Sequence, residues 1–87
     1  MDRAALIEKN RHLFWYIKPD KIPEISNAVL VEFIFNYGTW EDVKELVEVL
    51  FYKELRRVYE SLDERQKGGY IPEFLNLFYL ISHKNAS

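Results

Sequence analysis

Apolar residues are densest at 28–35, where Glu32 is the single charged interruption. Valine, isoleucine and phenylalanine there favour a strand. A length of about 15 residues, Pro23 at the start and Gly38 at the end favour a helix over 23–37. The helix is the preferred reading, with Gly38 as its C′ glycine. Because it is apolar almost all round, it is expected to be the central, most buried element. A third element follows. Thr39 is placed as an N-cap with Asp42 three residues on, an approximate capping box. Val43, Leu46, Val47 and Leu50 then recur at helical spacing, and Phe51, Leu55, Val58, Tyr59 and Leu62 extend the pattern. This predicts either one helix over 40–62 or two with a bend near Phe51 and Tyr52, where no glycine or proline forces a break.

The N-terminal pattern is less decided. Asp2 is a reasonable N-cap. Leu6, Ile7, Leu13, Phe14 and Ile17 share one face of a helix running from Arg3 to Tyr16, with Asn10 inside that stripe. A helix ending near Arg11, followed by an extended 13–17, fits equally well. Residues 63–69 form a polar connector. A last helix starts at Ile71 or Pro72 and ends at Ser82, with Phe74, Leu75, Phe78 and Ile81 as its stripe. Residues 1–2 and 83–87 are expected to fray. The pattern therefore predicts an all-α class: one domain over 1–87, a small orthogonal bundle of four to five helices around 28–35.

Composition narrows the chemistry. The chain has 87 residues, no cysteine and a net charge of −2. Disulfides and thiolate metal sites are excluded, and the charge argues against nucleic acid as the main partner. Charge returns at Glu8, too early for a secretory signal. No run approaches the roughly 20 apolar residues of a membrane span. The cytoplasm is the expected compartment. Two tryptophans, six tyrosines and six phenylalanines exceed what so small a core readily hides, which predicts an exposed aromatic patch and hence an interface.

Catalytic groups are sparse. The histidines are His12 and His83, and none of Ser26, Ser61, Ser82 or Ser87 lies in a Gly-x-Ser-x-Gly turn. Glu8 and His12, four apart, make half a metal site at best. The expectation is a non-enzyme with no cofactor and no metal. Candidate partner-binding residues are Phe14, Trp15, Tyr16 and Trp40. Three successive aromatics cannot all face one core; packing explains two, and the third is a candidate anchor. Glu41, Glu45 and Glu48 form an acidic ridge suited to helix-dipole compensation or to a basic partner. Lys53, Arg56 and Arg57 would serve a helix-turn-helix-like nucleic-acid alternative, although Glu54, Glu60, Asp63 and Glu64 are interleaved with them. Self-association as a homodimer would cover the same aromatic surface.

The string Leu13-Phe14-Trp15, the helix closing on Tyr37-Gly38 and the following Glu41-Asp42-Val43 resemble a family of small, uncharacterised prokaryotic helical proteins. Their signature is an "LFW" segment and a "YG-x-x-ED" join, followed by a C-terminal helix with aromatics, here Phe74 and Phe78. The resemblance covers residues 10–80. It implies a binding module, antitoxin-like, whose partner is a nucleotidyltransferase-type protein encoded beside it. It supplies no catalytic residue. The family carries a second "YG" after its third helix, whereas this chain reads Phe51-Tyr52-Lys53 there.

Overall fold

A computed structural model describes residues 1–84. The chain folds as α1 (Arg3–Lys9), a 3-10 turn (Arg11–Phe14), a second 3-10 segment (Pro19–Glu24), α2 (Asn27–Tyr37), α3 (Trp40–Ser61), α4 (Glu64–Lys67) and α5 (Pro72–Ser82). It is an all-α bundle, as the pattern predicts, and no strand occurs among the described residues.

Helix α2 is the central element. Leu30, Val31, Phe33, Ile34 and Phe35 are all buried on it. Its start differs from expectation. Pro23 belongs to the second 3-10 segment, and Ser26 is the cap, its Oγ accepting from the Val29 N–H at 3.2 Å. Pro23 fits a first turn, but it lies one element too early; the hydroxyl three residues on offers the orphan N–H groups a real acceptor. The far end also differs. Gly38 caps α2 with φ −81°, an ordinary extended conformation rather than the left-handed one. Glycine is needed there for space, because a Cβ would stand 2.8 Å from the Ile34 carbonyl oxygen and 3.2 Å from Asp42 Cβ.

Asn10 decides the N-terminal question. It is buried, and its side-chain amide donates to the Leu6 carbonyl at 3.0 Å. Its backbone N–H reaches the Leu6 and Ile7 carbonyls as well. A polar residue inside an apolar stripe thus ends α1 by satisfying its last carbonyls. The chain beyond is neither an α-helix nor extended: it tightens into the 3-10 turn and bends on to Ile17. At the other end, the Asp2 carboxylate accepts from the Ala5 N–H at 2.8 Å, so Asp2 is held as the cap of α1. His83 closes α5 and stacks on Tyr79 with ring centroids 4.5 Å apart. Asp2 and His83 thus each make a helix-end contact, and the expectation for 85–87 lies outside the described residues.

The capping box at Thr39 is complete. Thr39 Oγ1 accepts from the Asp42 N–H at 3.1 Å, and Asp42 Oδ2 accepts from the Thr39 N–H at 2.8 Å. The helix it starts is broken. Phe51 has φ 64° and ψ 160°, so 40–50 and 52–61 are two helical halves across a kink. That region of backbone space is favourable for glycine alone, and a phenylalanine held there is strained by about 1–3 kcal/mol. The Phe51 side chain is 68% exposed, so packing returns little. Phe51→Gly is therefore expected to stabilise the fold by about 1 kcal/mol, net of glycine's larger chain entropy. The urea unfolding midpoint measures it; a fall in the midpoint would show that Phe51 packs better than its exposure implies.

The kink lets both halves of α3 close on the core. Leu46 and Leu55, one on each half, are fully buried. Phe78 of α5 packs against Phe35 at 5.0 Å, Tyr59 at 5.3 Å and Tyr70 at 5.7 Å between ring centroids. Asn36, buried on α2, donates to the Gly69 carbonyl at 2.9 Å and accepts from the Ile71 N–H at 2.9 Å. One side chain thereby fastens the connector before α5 onto the central helix.

Candidate protein-interaction surface

The three successive aromatics part company at the end of the first 3-10 turn. Phe14 is fully buried, while Trp15 is 80% and Tyr16 60% exposed. The core therefore takes one of them, not the two that packing alone suggests. The reason is local: the tight turn carries Phe14 inward and leaves no inward direction for the next two side chains. Phe33 connects them to α2. Its ring lies 5.2 Å from Phe14, 5.2 Å from Tyr16 and 5.8 Å from Tyr37. Trp15 stands edge-on to Tyr16 at 5.3 Å. The core thus continues outward, through Phe33, into an exposed rim of Trp15, Tyr16 and Tyr37. Tyr37 is a rim residue that the motif reading missed; its spacing of four from Phe33 on α2 was the available signal.

One charge borders this rim. Glu32 is the only charged residue of α2 and is partly buried. Burial pushes its carboxyl above the ordinary range, and Glu32 has no ion pair among the described residues. A Cβ at Gly69 would stand 3.3 Å from Glu32 Oε1, so the carboxylate lies against bare backbone. Burial also raises the Tyr16 hydroxyl, with smaller contributions from Glu32 and Tyr37. The Tyr70 hydroxyl is pushed well up, by burial first and by Glu32 second. Tyr70 is 5% exposed, and its hydroxyl has no hydrogen-bond partner among the described residues.

Trp40 stands elsewhere. It is exposed and lines an open groove between α3 and α5 with Val47, Glu48, Tyr52 and Ile81. No ring contact links it to Trp15 or Tyr16 among the described residues. The acidic ridge is largely neutralised by its neighbours. Glu45 takes Lys9 of α1 at 2.7 Å, and Glu41 takes Lys44 at 3.1 Å. Glu48 alone of the three has no ion pair among the described residues. Lys44 thus turns to Glu41 rather than to Glu48, the partner its spacing also allows.

The basic cluster is similarly engaged. Arg57 donates two hydrogen bonds to Glu54, at 2.7 and 2.6 Å, and Arg56 lies 3.4 Å from Glu60. Of Lys53, Arg56 and Arg57, Lys53 alone has no ion pair among the described residues. Glu54 also accepts from Asn27 at 2.7 Å, and Asn27 accepts in turn from Arg3 of α1 at 2.7 Å. The network ties α1, α2 and the second half of α3. The Arg57 guanidinium, and after it the Asn27 amide, hold the Glu54 carboxyl at about 2, below its usual 4.5. A carboxyl depressed in the folded state adds stability above its unfolded value and loses it as pH falls through the folded one. Glu54→Gln is therefore expected to lower stability at neutral pH and to flatten the acid limb between pH 4.5 and about 2. Helicity followed against pH measures it, and an unchanged acid limb would contradict it.

His12 is exposed, and Glu8 is paired with Arg11 at 3.2 Å rather than with His12. No group of three metal-ligating side chains occurs among the described residues. Ser82 Oγ lies 2.9 Å from His83 Nδ1, but Ser82 is buried and donates to the Tyr79 carbonyl at 3.0 Å, which reads as a helix-end contact. No described helix is long and apolar enough to cross a membrane. No family model, curated protein or solved structure matches the chain.

Proposed function

We propose that this chain is a non-enzymatic protein-interaction module that binds its partner through the Trp15, Tyr16 and Tyr37 rim. The observation that carries this is the exposure of Trp15 at 80% beside Tyr16, on a ring cluster anchored in the core. A large aromatic left in water forgoes about 1.5–3 kcal/mol of burial. Rigid aromatic anchors of this kind dominate the energetics of protein interfaces. Two of the three rim rings, Tyr16 and Tyr37, rest on the buried Phe33, which lowers the ordering entropy they lose on binding.

The partner we propose is a nucleotidyltransferase-type protein encoded beside this one, with an antitoxin-like role for the module. Support for that comes from the LFW and YG-x-x-ED signature. The chain departs from that signature in one place, reading Phe51-Tyr52-Lys53 where a second Tyr-Gly is expected. A second copy of the chain is the competing occupant. Light scattering on the chain alone, and mixed with the neighbouring protein, tests the reading. A monomer that forms a defined hetero-complex is expected. A stable homodimer that ignores the neighbouring protein, or a monomer that ignores it, would overturn the proposal.

A further inference from the structure

We infer that Phe51 is the hinge of a domain swap: α3 straightens there, and two copies of the chain exchange everything that follows it. Phe51 holds φ 64° and ψ 160°, and among the described residues it is the one non-glycine residue with positive φ. That conformation suits glycine and is costly to any residue with a Cβ. Nothing local offsets the cost, because the phenyl ring is exposed. The break also creates an inner helix start whose first N–H groups need acceptors. Neither Leu50 nor Phe51 carries a side-chain oxygen to supply one. Meanwhile Val47, Phe51, Leu55 and Val58 keep helical spacing through the break. A straight α3 would therefore remove the strain and place Phe51 on an apolar stripe.

A single chain does not straighten without loss. Leu46 on the first half of α3, and Leu55 and Val58 on the second, are all buried. Straightening draws the second half, α4 and α5 away from the rest. It parts the Phe35 and Phe78 rings, now 5.0 Å apart, and the bonds of Asn36 to Gly69 and Ile71. It also parts Asn27 from Glu54, now 2.7 Å apart. A second copy opened in the same way offers an identical partner for each of these groups. Tyr59 and Tyr70 travel with Phe78, so that ring cluster re-forms whole. Closed monomer and swapped dimer thus share their core contacts and differ at the hinge, where the dimer is free of strain. A short hinge under strain is the feature that invites such an exchange. Association costs translational freedom, so the monomer is the dilute form and the dimer the concentrated one. The exchange is independent of the partner proposed above, because the rings of the Trp15 rim all precede the hinge.

The full chain, Phe51→Gly and Phe51→Ala are each refolded from urea at millimolar concentration, so that open chains meet, and are sized by chromatography with light scattering. The wild-type chain is expected to yield a dimer that returns slowly to monomer on dilution. Glycine relaxes the closed turn and weakens a straight helix, at both hinges of a dimer. Phe51→Gly is therefore expected to dimerise about a hundredfold less tightly. Phe51→Ala keeps the strain and favours the helix but lacks the ring, so it is expected to dimerise still. A wild-type chain that stays monomeric, or equal dimerisation by wild type and Phe51→Gly, would overturn the inference. Loss of the dimer in Phe51→Ala would overturn it too, by assigning the association to contact between exposed rings. The wild-type dimer supplies a test that needs no variant. When it is assembled from isotope-labelled and unlabelled chains, isotope-filtered NMR is expected to show Phe35 of one chain against Phe78 of the other. A dimer with that contact confined within each chain would overturn the exchange. Binding of the neighbouring protein by the dilute monomer tests the rim reading separately, and neither result decides the other.

Discussion

Phe78→Ala is expected to lower stability by about 3–5 kcal/mol, the usual cost of emptying a buried phenylalanine site. Phe78 is fully buried and touches rings from three other parts of the chain: Phe35 on α2, Tyr59 on α3 and Tyr70 before α5. Those rings are themselves pinned, Phe35 by the central helix and Tyr70 by the connector that Asn36 fastens. The surroundings can therefore collapse little into the cavity, which places the cost towards the upper end of that range. A domain of this size carries a total stability of only about 5–10 kcal/mol. The variant is thus expected to be largely unfolded well below the wild-type midpoint. Denaturant titration followed by circular dichroism measures it; a loss under about 1 kcal/mol would show that α5 contributes little to the core.

The second large effect is on binding. Trp15→Ala is expected to weaken the partner complex by about 2–4 kcal/mol, the range of an interface hot spot. The same substitution is expected to leave the free chain's stability within about 0.5 kcal/mol, as for other exposed positions. The separation follows from the geometry. Trp15 is 80% exposed and touches the chain mainly through Tyr16, so the folded monomer gains little from it. Trp40→Ala is the control, since Trp40 lines the α3–α5 groove instead. Calorimetric titration of the neighbouring protein into each variant gives the comparison. Equal affinity for Trp15→Ala and wild type would remove the rim from the interface.

Much of this fold was legible in the chain. The centrality of 28–35 follows from a run that is apolar almost all round, its helical form from the span of about 15 residues around it, and the start of α3 from one threonine and one aspartate. What the pattern left open was decided by single residues. Asn10 ended α1 because its amide reaches a carbonyl that a leucine could not satisfy. A bend near Phe51 was one of the two readings the pattern left open; no glycine or proline marked it, because it lies on a residue type that normally avoids that backbone conformation.

The candidate surface was legible only in part. Trp15 and Tyr16 were visible as a surplus of aromatics. Tyr37 was read as the end of a helix and Glu32 as an interruption of an apolar run. What they do depends on the folded chain: Phe33 holds Tyr37 against the rim, and Gly69, far along the sequence, lies beside the Glu32 carboxylate. The acidic ridge shows the opposite error. Glu41, Glu45 and Glu48 share a helix, but the lysine that occupies Glu45 comes from 36 residues upstream. Local spacing reports where charges stand and not whether a distant element neutralises them.

The central claim is that the Trp15 rim is covered by a partner, and the emission of Trp15 itself tests it most directly. In Trp40→Phe, Trp15 is the sole tryptophan, and in Trp15→Phe, Trp40 is. With the tryptophans of the neighbouring nucleotidyltransferase-type protein replaced by the non-fluorescent 4-fluorotryptophan, complex formation is expected to shift Trp15 emission to the blue and shield it from iodide. Trp40 emission is expected to stay as it was. A complex that forms while Trp15 remains as exposed as in the free chain would contradict the account.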